Sequence, residues 1–320
     1  MQSPVASSLS PSAPPNFDES RRQQALDALR LVGSLPEPDY DDVVKIAAAI
    51  CETPIALITL LDRDRQWFKA THGVDGQGTA REHAVCDHAI RQAAPLMEVE
   101  DLNADARFAD NPEVAAIGAR FYAGAPLVTP EGAAIGTVCV IDRTPRTLNA
   151  TQRTALEALA RLTMHLMQHR SGEHDRQVDR ILHDAIGLET AASPETAGDY
   201  AVVILEVQDL ATVERRIGHR LLERELEHLD RELEACLDQA RGDSINRVTG
   251  SGEFIAVLGA AQCADTMERL DKAIAAAKGR LGVPMLLAHA SSRAGEATAS
   301  VFKRAEKALA TKKETLRPEA

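Results

Sequence analysis

One long helical pattern occupies the middle of this sequence and divides the chain. After Leu148, Asn149 or Thr151 is suited to cap a helix, and a 3-4-3-4 spacing connects Leu156, Leu159, Thr163, Leu166 and Arg170. Gly172 is a possible interruption, but the pattern resumes beyond it at Val178, Ile181, Leu182 and Ile186. The sequence therefore predicts a helical connector of roughly 30 residues between two domains, which agrees with a length of 320 residues.

A connector of this kind often pairs with its own copy. We therefore expect a homodimer that forms through the helical segment 149–186. The alternative is a helix that packs only on its own domain, and two heptads do not distinguish the two arrangements.

Helix and strand patterns alternate before the connector. Helical patterns begin at about Glu19 and again near Asp39, where Asp39 and Asp41 suit the N-cap and the first turn. Two hairpins follow: IALITLLD pairs with RQWFKATHG, and FYAGAPLV pairs with a strand that ends at Asp142. Residues 1–17, rich in Pro and Ser, are expected to form a disordered tail, so the first domain is predicted over 18–170.

A second set of elements follows a predicted linker over 171–198. A strand pattern YAVVILEV starts near Asp199, and one long helix is expected from about Leu210 to Ala240. A strand, a Gly-rich turn, a strand, a helix, a strand and a helix follow. The order βαββαβα over 199–313 predicts an α/β sheet domain with helices on its faces, followed by a tail over 314–320.

Charge and composition exclude several classes of function. Lys and Arg number 36 against 48 Asp and Glu, so the net charge of −12 disfavours nucleic acid and anionic membranes as partners. No run of about 18 apolar residues and no signal peptide is found, so a cytoplasmic location is expected. The five cysteines include no CxxC pair, which indicates reduced thiols.

The first domain resembles a GAF domain of bacterial signalling proteins. The resemblance rests on ALDALRLVGSLPEPDYDDVVKIAAAICETPIALITLLDRDRQWFKATHGV, on HAVCDHAI and on RFADNPEVAAIGARFYAGAPLVTPEGAAIGTVCVID. It implies an antiparallel sheet of five or six strands with flanking helices, and a role in binding a small molecule or in dimerisation. The ligand is not named by the sequence, and the candidates for a pocket are Trp67, Phe68, His83, Cys86 and Tyr122.

His83, Cys86 and His88 allow a metal site or a redox thiol at Cys86. On a single helix His83 and Cys86 share a face while His88 points away, and no fourth ligand lies nearby in the sequence. The favoured interpretation is therefore a helix with a buried cysteine and structural histidines.

The second domain resembles a degenerate GGDEF domain, the catalytic module of diguanylate cyclases. The family's strand LLLDLDxFKxIND corresponds to VILEVQDLATVER. Glu206 stands at the first metal-binding Asp, Gln208 at the second acidic position and Ala211 at the usual Lys. Glu214 and Arg215 stand where an Asn and an Asp hold guanine in the family. The resemblance therefore implies a site that has lost most of its base-reading and metal-binding groups.

The signature itself is altered to a possible nucleotide loop, Gly250-Ser251-Gly252-Glu253-Phe254. Gly252 offers no side chain at the usual acidic position, so Glu206 and Glu253 are the vestigial candidates for metal binding. The family's RxxD product-inhibition motif is also missing, since Ala240 lies three residues before Asp243. Mg²⁺ and GTP are expected as cofactor and substrate only if this site is active.

These observations favour a cytoplasmic bacterial signalling protein with a GAF module for ligand sensing or dimerisation. Its GGDEF-like output domain is expected to be catalytically inactive and to act by binding, with a protein partner in a cyclic di-GMP pathway. The alternative is a divergent diguanylate cyclase that converts two GTP to cyclic di-GMP under control of the GAF domain.

Overall fold

The computed structural model of the protein describes residues 17–187, 200–259 and 263–315. The described residues fall into two compact units, one with the stretches up to Val32 and Pro36–Ser171, the other with Gly33–Leu35 and the chain from Gly172 onward. Most of the predicted tail 1–17, the linker residues 188–198 and the tail residues 316–320 lie outside the described residues.

Six antiparallel strands form the sheet of the first unit, in the order β3-β2-β1-β6-β5-β4. This confirms the expected antiparallel sheet and both predicted hairpins. The hairpins form because β-branched runs are separated by tight turns. The strands are β1 Ile55–Leu61, β2 Arg65–His72, β3 Gly78–Ala80, β4 Met97–Val99, β5 Phe121–Val128 and β6 Ala134–Asp142.

Helices flank this sheet on both faces. They are α1 Glu19–Ala28, α2 Pro38–Cys51, α3 Val85–Ile90 and α4 Pro112–Ile117, with a 3₁₀ turn at Arg81–His83. Glu37, not Asp39, is the N-cap of α2, because Pro38 opens the helix with a fixed φ and leaves Asp39 and Asp41 in the first turn. The apolar core between the sheet and α3 includes Ile55, Leu57, Cys86, Tyr122 and Cys139.

The predicted connector is one helix, α5, over Ala150–Gly187. Its first turn is a reciprocal cap: Gln152 N donates to Asn149 Oδ1 and Asn149 N donates to Gln152 Oε1, both at 3.0 Å. Gly172 does not interrupt the helix, since a glycine inside a helix costs only about 1 kcal/mol relative to alanine. The boundary between the two units falls within α5, after Ser171.

The second unit contains a four-stranded antiparallel sheet with the order β10-β7-β9-β8. One face is covered by a core that includes residues of α7 and α8, and the other by residues of α5 and α9. The elements are β7 Tyr200–Val207, α6 Leu210–Ile217, α7 His219–Glu234, β8 Ser244–Arg247, β9 Glu253–Gly259, α8 Cys263–Leu281, β10 Met285–Ser291 and α9 Thr298–Thr315.

The single helix expected from Leu210 to Ala240 is wrong. The chain breaks at Gly218, where φ is +83° and ψ is 153°, and α7 ends at Glu234 before a 3₁₀ turn at Gln239–Arg241. Glycine adopts this conformation without the steric cost of a side chain. The element order is therefore βααββαβα. Among the described helices, none is both long and apolar enough to cross a membrane.

Candidate functional site

Glu206 and Glu253 lie directly opposite each other on neighbouring strands of the second unit. Glu206 is the penultimate residue of β7 and Glu253 the first residue of β9, and the register pairs them. Directly opposed residues of antiparallel strands project from the same face with their Cβ atoms about 5 Å apart. Two carboxylates at this distance repel each other unless cations or hydrogen-bond donors compensate their charge.

Side chains of the same unit engage both carboxylates. Lys313 Nζ of α9 lies 2.6 Å from Glu206 Oε2, and Gln208 Nε2 donates to Glu206 Oε1 at 2.8 Å. Glu253 is buried, and its Oε2 lies 2.8 Å from Nε2 of the equally buried His174 of α5. Each carboxylate of the pair is therefore bound by a basic side chain from a helix that covers this face of the sheet.

These partners do not fit a catalytic magnesium site. Mg²⁺ needs carboxylate oxygens that are free to coordinate it together with several waters. Here an ammonium group lies against Glu206, and Gln208 contributes an amide donor where the family has an acidic ligand. Among the described residues, no group of three or more His, Cys, Asp or Glu side chains is arranged to hold a metal ion.

The packing around Gly252 leaves little space for an acidic side chain. A Cβ atom at this position would lie 2.9 Å from Leu210 Cδ1 and 3.0 Å from both Cβ and the carbonyl oxygen of Val207. Gly252 O also accepts a hydrogen bond from Val207 N at 2.9 Å, so the backbone is held close to β7. The close contacts with Val207 and Leu210 therefore favour a glycine at position 252.

The hairpin loop between β8 and β9 uses several of its polar groups internally. Ser251 N and Ser251 Oγ both donate to Val248 O, at 3.1 and 2.9 Å. Thr249 N donates to Gln177 Oε1 of α5 at 2.9 Å, and Phe254 is fully buried in the core. These backbone groups are therefore directed to the chain itself and not to a phosphate.

Glu214 and Arg215 stand at the positions that the resemblance compares with the guanine-binding Asn and Asp of GGDEF domains. Glu214 Oε1 lies 2.9 Å from His219 Nδ1, while Arg215 is exposed on α6. A guanidinium only donates hydrogen bonds, so Arg215 cannot accept the N1 and N2 protons of guanine. Asp243, which the resemblance compares with the Asp of the RxxD motif, is buried and accepts from Gly259 N at 3.0 Å and Asp238 N at 3.2 Å, so its carboxylate is engaged by the backbone.

In the first unit, the predicted pocket residues do not all lie together. Trp67 pairs with Leu60 across the strands, and its ring lies near Nζ of Lys69. Phe68, the next residue of β2, projects to the opposite face and packs on the core that contains Cys86 and Tyr122. The alternation of side chains along a strand places Trp67 and Phe68 on different faces.

The expectation that His83 and Cys86 share one helix face is wrong. Ala84 has an extended backbone, with φ −76° and ψ 112°, and it separates the 3₁₀ turn from α3. The His83 carbonyl accepts from Asn111 Nδ2 at 2.9 Å, and His88 packs edge-on against Phe108. The three predicted residues therefore have three separate environments.

Lys69 is a buried cation on the other face of the same sheet. Its Nζ lies 2.7 Å from Glu37 Oε1 and over the Tyr40 ring. Glu37 Oε1 also accepts a hydrogen bond from Arg170 Nε at 2.9 Å. Burial lowers the pKa of Lys69 to about 8, although Glu37 opposes this shift. The Lys69 side chain is thus enclosed by its partners, and its Nζ also lies 5.9 Å from the centre of the Trp67 ring.

The partners of Cys86 come from strands that are distant from it in the sequence. Tyr122 Oη donates to Cys86 Sγ at 3.3 Å, and Cys139 Sγ of β6 lies 3.8 Å from Cys86 Sγ. Cys139 follows Thr137 by two residues, and Thr137 Oγ1 lies 3.0 Å from Thr59 Oγ1. The alternation along β6 could have placed Thr137 and Cys139 on one face, but only the tertiary structure brings α3 onto it.

Comparisons with known proteins agree with the fold of the first unit. The model of the GAF domain family matches residues 36–167. A protein of Pseudomonas aeruginosa named cyclic di-GMP phosphodiesterase is 44% identical over 149 residues, which are 46% of this chain and 25% of that protein. The chain thus spans a quarter of the length of this curated relative.

Solved structures of both domain types resemble parts of the chain. The GAF domain of an Acinetobacter phosphoenolpyruvate-protein phosphotransferase is 17% identical, with a TM-score of 0.35, and the match covers 47% of this chain and 92% of that one. The GGDEF domain of DgcB from Caulobacter crescentus, solved with c-di-GMP, is 18% identical, with a TM-score of 0.36. That match covers 44% of this chain and 85% of the DgcB domain. With the family match and the six-stranded sheet, the first unit contains a GAF domain over residues 36–167.

Proposed function

We propose that this protein is a cytoplasmic signalling protein whose GAF domain is joined by α5 to a degenerate GGDEF domain over 199–313. The GAF domain binds a small molecule, and the second domain acts by binding and does not synthesise cyclic di-GMP. The observation that carries the proposal is the engagement of Glu206 by Lys313 and of Glu253 by His174.

The relative from Pseudomonas aeruginosa supports the choice of pathway. Its name assigns it to the breakdown of cyclic di-GMP, and it shares 44% identity with this chain over 149 residues. Because the chain spans a quarter of that protein, the proposal takes from it the signalling pathway and not the phosphodiesterase activity. The partner we propose is another protein of the same pathway.

Incubation of the purified full chain with GTP and either Mg²⁺ or Mn²⁺ tests this function. We expect neither pppGpG nor cyclic di-GMP by chromatography, because the metal and guanine positions lack the required groups. An active diguanylate cyclase assayed in parallel is the positive control. Turnover to cyclic di-GMP at the rate of that control would exclude the proposal.

A divergent diguanylate cyclase is the second candidate, and the opposed position of Glu206 and Glu253 favours it. It requires that GTP with metal displace Lys313 and His174 from the carboxylates.

The second candidate predicts that millimolar GTP raises the melting temperature of the protein, since a ligand that binds only the native state stabilises it. It also predicts that Glu253→Gln abolishes product formation while circular dichroism stays unchanged. An unchanged melting temperature with GTP removes its support.

We further propose a homodimer through the helical segment 149–186. Val178 and Leu182 are buried within the second unit, but Leu162 in the first half of α5 is 50% exposed. An apolar side chain that is half exposed on a long helix is suited to a symmetric contact with a second copy.

Replacement of Leu162 by Glu tests this contact. We expect light scattering at micromolar concentration to show a dimer for the native chain and a monomer for Leu162→Glu, because burial of the new charge opposes association. Val128→Glu is the matched control, since Val128 is 48% exposed and is the last residue of β5, outside the helical segment 149–186. A native monomer, or equal dissociation by both variants, contradicts the proposed interface.

A further inference from the structure

Two cysteines that are distant in the sequence form a buried pair in the GAF domain. Cys86 lies on α3 and Cys139 on the central strand β6, and their sulfur atoms are 3.8 Å apart. Both side chains are buried, at 3% and 0% exposure. This distance corresponds to van der Waals contact between two thiols, so the sulfurs need to approach further to reach the disulfide bond length of about 2.05 Å.

Polar groups surround the two cysteines on the face of the sheet that α3 covers. Tyr122 Oη donates to Cys86 Sγ at 3.3 Å, and the hydroxyls of Thr59 and Thr137 lie 3.0 Å apart nearby. Gly124 makes room for this arrangement, because a Cβ atom there would lie 2.2 Å from Tyr122 Oη. The tyrosine hydroxyl is thus held against one particular sulfur by the packing of β5.

The two sulfurs differ in acidity. Burial disfavours the Cys86 thiolate, but hydrogen bonds from Cys139, Thr137, Tyr122 and Thr59 lower the pKa of Cys86 to about 7. The pKa of Cys139 is raised by its hydrogen bond to Cys86 and by burial. Burial raises the pKa of each of the other three cysteines: Cys51, Cys236 and Cys263.

We propose that Cys86 and Cys139 are a redox-active dithiol that a hydroperoxide oxidises to an intramolecular disulfide. In the first step the Cys86 thiolate attacks a peroxide oxygen, the O–O bond breaks, and the leaving hydroxide is protonated to water. Cys139 sulfur then attacks the Cys86 sulfenic acid, the S–S bond forms, and the S–O bond breaks. The Cys139 proton goes to the departing hydroxide. Two thiols and one hydrogen peroxide thus give one disulfide and two waters.

The position of Cys86 on α3 allows the disulfide bond with Cys139 to form. This helix has 6 residues and is preceded by the extended Ala84, so it is a short element attached to the rigid sheet. Short elements with few internal hydrogen bonds open locally at low free energy, which admits a small oxidant to the buried sulfurs. The disulfide then ties α3 to β6 and gives the GAF domain a distinct oxidised state. The proposal is independent of whether the second domain makes cyclic di-GMP.

Oxidation of the reduced full chain by hydrogen peroxide, followed by alkylation and non-reducing digestion, tests the pair. We expect a peptide cross-linked through Cys86 and Cys139, and a fall in titratable thiols from five to three. The rate is expected to rise as the pH passes through about 7, because the Cys86 thiolate is the attacking group. Dithiothreitol should restore all five thiols.

Variants separate this chemistry from general thiol oxidation. Cys139→Ala should abolish the cross-link, whereas Cys51→Ser, at another buried cysteine of the same domain, should leave it unchanged. Tyr122→Phe removes the donor to Cys86 and should move the pH dependence upward while the cross-link still forms. The proposal is overturned if native protein loses no thiols, if Cys51 reacts first, or if the cross-link appears only in denaturant.

Discussion

Replacement of His174 by Ala is expected to lower the free energy of unfolding of the second unit by about 2 kcal/mol. His174 Nε2 lies 2.8 Å from the buried carboxylate of Glu253, and a buried carboxylate that loses such a partner retains its desolvation cost. Hydrogen exchange of the β9 amides, resolved by mass spectrometry, measures the loss where it occurs. The amides of the first sheet should exchange as in the native chain.

His183→Ala is the matched control for this variant. His183 lies on the same helix within the second unit, but its side chain is 85% exposed and its Nδ1 lies 3.7 Å from Asp184 Oδ1. We expect its effect on stability to stay within about 0.5 kcal/mol. Equal exchange rates in the His174→Ala and His183→Ala variants would show that the contact with Glu253 contributes little to stability. They would contradict the view that His174 holds the Glu253 carboxylate.

The substitution Gly252→Asp, which introduces the acidic residue of the GGDEF signature, is expected to destabilise the second unit by about 3 kcal/mol without producing cyclase activity. The new Cβ would lie 2.9 Å from Leu210 Cδ1 and 3.0 Å from Val207, so α6 or the hairpin must move. The new carboxylate would also lie against the apolar side chains of Leu210 and Val207. Urea denaturation measures the first effect, and the GTP assay measures the second.

Gly279→Asp provides the control for this substitution. Gly279 lies in α8, and a Cβ there would meet no atom within 4 Å, so the same change of residue is expected to be nearly neutral. If Gly252→Asp is as stable as Gly279→Asp and gains metal-dependent cyclic di-GMP synthesis, the site is one substitution from activity and the packing argument is wrong.

The local elements were predictable because their signals are local. β1 and β2 come from β-branched runs around a tight turn, and α2 and α5 come from apolar residues at helical spacing. The break at Gly218 was missed because the helical apolar spacing continues on both sides of it, and only the φ of +83° ends the helix. Periodicity does not report the conformation of a single glycine.

The sites were predictable only as residue types. The glycine at 252 and the arginine at 215 are visible in the sequence, whereas the partners of Glu206 and Glu253 are not. His174 lies 79 residues from Glu253, and Cys86 lies 53 residues from Cys139. Contacts over such separations depend on how helices pack on sheets, which the local pattern does not encode.

The amino-acid sequence alone therefore determined eight of the ten described strands, most of the described helices, the long connector and the residue types at Gly252 and Arg215. These follow from residue spacing and from the chemistry of single side chains. The tertiary structure alone decided that basic side chains of two helices bind the acidic pair and that two cysteines meet beneath the GAF sheet. The physical reason is that both arrangements require side chains from distant segments to be buried on one sheet face.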